Sequence, residues 1–254
     1  MAGGSIPPVG TSLVKPPMTP PSAHLAPAEQ RLSQRVLGRL RGLRLTDGGT
    51  VAVGFSGGPD SLCLALVLAK LAPVAGIRAV LVHVDHGLRP SSAEQARQAA
   101  VLAEAVALPF RVVRLEPGLR ERHPGVGIEE AARRERLLAL ATEAERVGAE
   151  VVALAHHLED QAETTLLHLL RGAGLAGARG MASTTTMLLP WWNAPELTPM
   201  TLRLWRPLLQ EPKAALDGCL RASGLAAVRD ESNDDAAFRR NWLRAEIIPA
   251  LRRG

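Results

Sequence analysis

Four short strand-like segments alternate with helical stretches along this chain, and that rhythm leaves few folds open. The strand-like segments fall at residues 51–55, 79–84, 110–115 and 151–155. Helical patterns lie between and around them, at 30–45, 62–72, from 91 to about 107, at 128–147 and at 160–170. The first carries Leu32, Val36, Leu37 and Leu40 on one stripe, whereas 62–72 is apolar almost all round. A helix of the second kind is buried between a sheet and other elements. Ser91-Ser92-Ala93-Glu94 reads as a capping box, with a hydroxyl on an orphan amide and the carboxylate reaching back. The expected architecture is α/β: a doubly wound, mainly parallel sheet with helices on both faces, plus a small helical C-terminal portion.

Three regions are expected. Residues 1–27 hold Pro7, Pro8, Pro16, Pro17, Pro20, Pro21 and Pro27 and read as a disordered tail without the features of a secretory signal. Residues 28–182 form the α/β domain, and 183–254 a helical and loop extension that completes it. Within the extension, 202–209 reads as a strand, 212–222 as a helix with proline near its first turn, 230–235 as an acidic loop and 236–251 as a basic amphipathic helix. A chain 46% hydrophobic and 22% charged is not disordered throughout. Its longest apolar run, 62–69, is far short of the roughly 20 residues of a membrane span. Cys63 and Cys219 cannot build a disulfide scaffold or a four-thiolate zinc site, which fits a cytoplasmic setting. Thirty Lys and Arg against 25 Asp and Glu, nearly all the cations arginine, suit a polyanionic partner. Aromatics at 3% lend no support to a stacking platform for single strands.

The chemically informative element is Ser56-Gly57-Gly58-Pro59-Asp60-Ser61, set between an apolar run and an apolar helix. Two glycines let the backbone turn sharply and bring amides to a ligand, and the helix N-terminus adds partial positive charge. The plain alternative is a tight turn in which Asp60 or Ser61 caps the helix. It is not the Walker loop, because no Gly-Lys-Ser/Thr follows. Following a hydrophobic strand, however, Ser-Gly-Gly-Xaa-Asp-Ser resembles the loop of the ATP pyrophosphatases. By that resemblance residues 56–61 hold the pyrophosphate of ATP, which the family cleaves between its α- and β-phosphates. A carboxylate beside phosphates needs a cation between them, so Asp60 implies Mg²⁺.

His83-Val84-Asp85-His86-Gly87-Leu88-Arg89 and Ala155-His156-His157-Leu158-Glu159-Asp160-Gln161-Ala162-Glu163-Thr164 sit at the ends of the second and fourth strand-like segments. In a parallel sheet that is the rim where ligands bind. Asp160 and Glu163, three apart, share a helix face, where dipole capping is the competing reading. A zinc set of His83, His86, His156 and His157 is weak, since no cysteine completes it. With Glu130-Ala131-Ala132-Arg133-Arg134-Glu135-Arg136, Arg171-Gly172-Ala173-Gly174-Leu175-Ala176-Gly177, Trp205-Arg206-Pro207-Leu208-Leu209 and Asp230-Glu231-Ser232-Asn233, residues 47–252 resemble the tRNA(Ile)-lysidine synthases of the N-type ATP pyrophosphatase (PP-loop) family.

That resemblance implies a ligase that joins L-lysine to C2 of the wobble cytidine of tRNA(Ile) with a CAU anticodon, through an adenylated cytidine. AMP and pyrophosphate are released. Ser56 to Ser61 with His83 and His86 would bind ATP, while Asp60 and Asp160 would hold Mg²⁺. Asp160 and Glu163 are candidates for receiving the cationic lysine, with a carboxylate or His156 as the base. One or more of Arg133, Arg136 and Arg206 would stabilise phosphate charge. Arg171 to Arg179, Arg239, Arg240 and Arg244 would hold tRNA phosphates. The chain departs from the family at Leu137, where an aromatic is usual, at Trp242 and Glu159, and in an insertion at 183–201. Larger members continue into further tRNA-binding domains; none is expected after Gly254. The alternatives are a tRNA thiolase, whose Cys-Xaa-Xaa-Cys is not found here, and a non-catalytic nucleotide- or RNA-binding module.

Overall fold

The computed structural model describes residues 27–87, 91–173, 178–192, 194, 196–228 and 242–253. The proline-rich stretch before residue 27, the acidic loop at 230–235 and the first part of the expected helix 236–251 lie outside them.

The element order is α1 (Pro27–Gly42), β1 (Thr50–Gly54), α2 (Pro59–Ala75), β2 (Arg78–Asp85), α3 (Ser92–Val106), β3 (Phe110–Arg114), α4 (Leu119–Arg122), α5 (Ile128–Arg146), β4 (Ala149–Ala153), α6 (Leu158–Leu170), β5 (Thr184–Leu189), β6 (Met200–Trp205) and α7 (Lys213–Ser223). A π-helical turn (Leu243–Ile247) then runs into α8 (Ile248–Arg253). The six strands form one sheet in the order β3-β2-β1-β4-β6-β5. All neighbours are parallel except the β5–β6 pair, in which Thr184 faces Trp205 and Leu189 faces Met200. This is the mainly parallel, helix-covered sheet that the alternation predicts.

The period of two along β1 divides the core. Val51 and Val53 point into a cluster with Leu62, Leu64, Leu68, Leu81 and Ala103, which joins the sheet to α1, α2, α3 and α7. Ala52 points the other way, towards Leu137, Leu140, Ala141 and Ala144 of α5. The all-apolar pattern of α2 has its reason here: Leu62 through Leu68 are buried, with the sheet on one side and α1 and α7 on the other. Leu137 is a core residue of α5.

One expectation is corrected, and two features are added that the sequence left open. Ser91 takes a helical backbone conformation and makes no side-chain cap, while Glu94 bonds Arg97 and Gln98 instead of reaching back. The polar residues Thr184, Thr185 and Thr186 open β5, an edge strand whose first five residues alternate between exposure and partial burial. Cys63 and Cys219, distant in sequence, meet as free thiols where α2 packs on α7, and this contact together with burial pushes the Cys63 thiol up. Among the described residues no helix is long and apolar enough to cross a membrane.

Candidate functional site

Parallel strands carry the chain back to the same edge after each helix, so the segments following β1, β2 and β4 converge on one rim. There they enclose a cavity of about 850 Å³. The loop after β1 contributes Ser56, Gly58, Pro59, Asp60 and Ser61; the end of β2 contributes His83 and His86; and the start of α6 contributes His157, Asp160 and Glu163. That volume lies within the range of small-molecule and cofactor sites.

The loop is shaped by its own side chains. Gly57 has φ +80°, a conformation L side chains rarely adopt, and a Cβ there would meet Val228 Cγ2 at 2.9 Å. Ser56 Oγ accepts from the Gly58 amide at 3.2 Å, and Ser61 Oγ donates to the Gly58 carbonyl at 3.0 Å. The two hydroxyls lie 3.1 Å apart. Gly58 is the N-cap of α2, and Pro59 opens it, where a missing amide costs nothing. No side chain caps this end of α2, so Asp60 and Ser61 do not have the capping role open to them in sequence.

Asp60 points to charged partners. Lys213 Nζ lies 2.5 Å from Asp60 Oδ1 and 3.0 Å from Asp217, and His157 Nε2 lies 3.7 Å from Asp60 Oδ2. Burial works to raise the Asp60 pKa, but the bonds from His157 and Lys213 outweigh it and hold the carboxyl below the usual carboxylate range. Burial likewise opposes charge on His157, yet Asp60, Asp160 and Glu159 lift its pKa above the ordinary value. Asp160 does two things at once. Its Oδ2 accepts from the His157 backbone amide at 3.0 Å, half of a capping box in which histidine replaces the usual hydroxyl residue, and it still lines the cavity. Glu163, one turn on, is fully buried and also reaches the cavity. Glu159 accepts from the Lys213 backbone amide at 2.9 Å and lies 3.0 Å from His157 Nδ1, which joins the starts of α6 and α7.

His83 Nδ1 donates to the Phe55 carbonyl at 2.9 Å and thereby ties the end of β2 to the loop; burial lowers its pKa. Burial lowers that of His86 further, to about 4, helped by Arg136 and His83. His86 Nδ1 is buried with no hydrogen-bond partner among the described residues. The residue also lines the cavity.

Of the three candidate arginines only Arg136 lines the cavity. Arg133 is engaged by Glu130 at 2.8 Å and stacks on Trp191, 4.9 Å from its centroid. Arg206 is buried and bonds the Ala182 carbonyl at 2.8 Å and Thr185 Oγ1 at 3.0 Å, holding the approach to β5. Lys213, which sequence reading missed, stands in the cavity 153 residues from its partner Asp60. The available signal was scarcity: the chain has three lysines, and this one opens a helix two residues after an acidic residue. Arg171 and Arg179 are exposed, whereas Arg239, Arg240 and the side chain of Arg244 lie outside the described residues.

No three His, Cys, Asp or Glu side chains among the described residues converge as a metal centre. Asp60 Oδ2 and Asp160 Oδ2 do lie within 3.7 Å and 3.6 Å of the same atom, His157 Nε2. Two neighbouring carboxylates suit a Mg²⁺ ion that completes its shell with phosphate and water.

A glycine-turned loop on the first strand of such a sheet, with acids and cations around it, has a matching family. The PP-loop domain model matches residues 29–251. This chain belongs to the PP-loop domain family. Among curated proteins this PP-loop chain is 41% identical over 204 residues to the tRNA(Ile)-lysidine synthase of Chromobacterium violaceum, covering 79% of the chain and 42% of that protein. It is 41% identical over 207 residues to that of a Bradyrhizobium species, covering 81% and 53%. The PP-loop chain therefore spans about half the length of the curated relatives it matches. Among solved structures, the U34-tRNA thiolase NcsA of Methanococcus maripaludis superposes with a TM-score of 0.69 at 16% identity, covering 89% of this chain and 74% of that one. At that identity the likeness speaks for the fold alone.

Proposed function

We propose that this chain is a tRNA(Ile)-lysidine synthase, which uses ATP to join L-lysine to C2 of the wobble cytidine in a CAU anticodon. The observation that carries the reading is the cavity itself, where the loop at 56–61, with its Asp60, shares one lining with Asp160, Glu163, Arg136 and Lys213. A triphosphate needs the amides and cations; a cationic amino acid needs the acids.

In the first step the cytidine O2 attacks the α-phosphorus of ATP and pyrophosphate leaves. Backbone amides of residues 56–61, Pro59 excepted, and the Arg136 guanidinium stabilise the charge that builds on the phosphates. Lys213 exchanges Asp60 for phosphate as the nucleotide enters. Asp60 and Asp160 would hold Mg²⁺, which supplies charge neutralisation between the phosphates. In the second step the lysine ε-amine, held by Glu163 and deprotonated by a neighbouring carboxylate or His156, attacks C2. AMP then departs with the original O2.

The test combines the purified chain with ATP, L-lysine and tRNA(Ile), each omitted in turn. Pyrophosphate release that depends on tRNA, and a nucleoside mass gain of lysine minus water that depends on all three, are the expected results. Pyrophosphate release with a mass gain that follows a sulfur donor instead of lysine would overturn the reading in favour of thiolation.

A further inference from the structure

The chain after β5 places Trp191 and Trp192 against the exposed side of α5. Arg133 Cζ lies 4.9 Å from the Trp191 centroid and Arg134 Cζ 5.3 Å from that of Trp192. The indoles meet edge to face at 4.8 Å, and His123 closes the far side of Trp192 at 5.6 Å. Trp192 is thus held on three sides, and it fixes Trp191, which remains 41% exposed.

The place of this stack matters. As the crossover between parallel β3 and β4, α5 runs opposite to the strands, so its first turns stand over the rim that carries the cavity. Arg136 lines that cavity, and Arg133 lies one turn earlier on the same side of the helix. The Arg133–Trp191 pair therefore borders the cavity mouth without being part of its lining.

We propose that Trp191, backed by Arg133, is a stacking platform for an unpaired base of the RNA substrate, beside the base that enters the cavity. The proposal rests on the tRNA reading above and names a residue that contacts the RNA. Glu130 pairs with both Arg133 and Arg134, at 2.8 and 3.0 Å, so much of their charge is already neutralised and the offered interaction is the flat indole–guanidinium surface. Such surfaces take any base, because every base has a π-face. The base must be unpaired, since a duplex hides its faces in the stack. The adenine of ATP is not the occupant, because the pair lies outside the cavity lining.

The experiment compares wild type with Trp191→Ala and Trp191→Phe, measuring tRNA affinity by filter binding and the KM values for tRNA and ATP by pyrophosphate release. A stack contributing about 1–3 kcal/mol corresponds to a loss of roughly 5- to 150-fold in tRNA affinity for Trp191→Ala. Trp191→Phe keeps most of the affinity, and the ATP KM of both variants stays at the wild-type value, which also reports that the fold is intact. Wild-type tRNA affinity in Trp191→Ala, or an ATP KM that rises as much as the tRNA KM, overturns the platform. If wild type binds tRNA through Trp191 but releases no pyrophosphate, the platform stands and the lysidine reading falls. If Trp191→Ala binds normally while wild type turns over, the reverse holds.

Discussion

Asp60 links three parts of the site, because it sits at the start of α2 and meets Lys213 and His157. Asp60→Ala should abolish tRNA-dependent pyrophosphate release while the fold persists; release at the wild-type rate would remove Asp60 from the phosphate chemistry. Glu163, buried at the base of the cavity, is assigned to lysine, so Glu163→Gln should raise the KM for lysine at least tenfold with the ATP KM little changed. An unaltered lysine KM in steady-state assays would reassign it. Gly57 is the third test. An added methyl meets Val228 at 2.9 Å and a backbone held at φ +80°, so Gly57→Ala should cost about 1–3 kcal/mol in urea unfolding and weaken ATP binding. A variant as stable as wild type would mean the loop can take another shape. These residues were legible in sequence because their signal is local. Lys213 was not, because its meaning comes from Asp60, which the fold alone brings near.

At the scale of elements, α1 is fastened to the site-bearing end of the sheet through one buried acid. Glu211, 2% exposed, accepts from Arg35 at 2.6 Å and pairs with Arg39 at 2.8 Å. Burial favours the neutral form, but the two guanidiniums hold its carboxyl below the usual range. Its backbone carbonyl also accepts from the Leu158 amide at 2.9 Å, at the start of α6. Glu211→Gln should cost about 1–2 kcal/mol, less than a fully buried pair because Arg35 is 45% exposed to solvent. Hydrogen exchange should show the loss concentrated in α1; an unchanged exchange pattern would mean that apolar packing alone holds the helix. Strands β1 to β4 were readable as elements because each centres on adjacent valines or aliphatic residues between helical patterns. β5 was not: Thr184, Thr185 and Thr186 are polar, and they become a strand only because β6 offers an edge to pair with. The failed capping box at Ser91 has a similar origin, since Glu94 found Arg97 and Gln98 on its own helix.

For the whole molecule, buried His83 and half-buried His86 at the rim set an acid limit. His86 has its pKa lowered from 6.5 to about 4, and that of His83 is lowered as well. The unfolded chain takes up these protons near pH 6.5 while the folded chain does not, so stability falls as pH drops from 6.5 towards 4. For His86 alone the loss amounts to about 3 kcal/mol by the lower end of that window. Thermal melts across pH 4–7 should show a shallower decline in His86→Gln than in wild type; identical slopes would place the acid sensitivity elsewhere. The sequence by itself determined the layer architecture, the loop after the first strand and the rim on which the chemistry sits. It could do so because periodicity and turn residues act within a few positions. The tertiary structure alone decided which cations reach the cavity, sending Arg136 and Lys213 in while Arg133 and Arg206 are engaged elsewhere. It also joined two of the four tryptophans to α5. A long side chain spans several ångströms in directions set by helix packing, and no local pattern encodes which neighbour it will find.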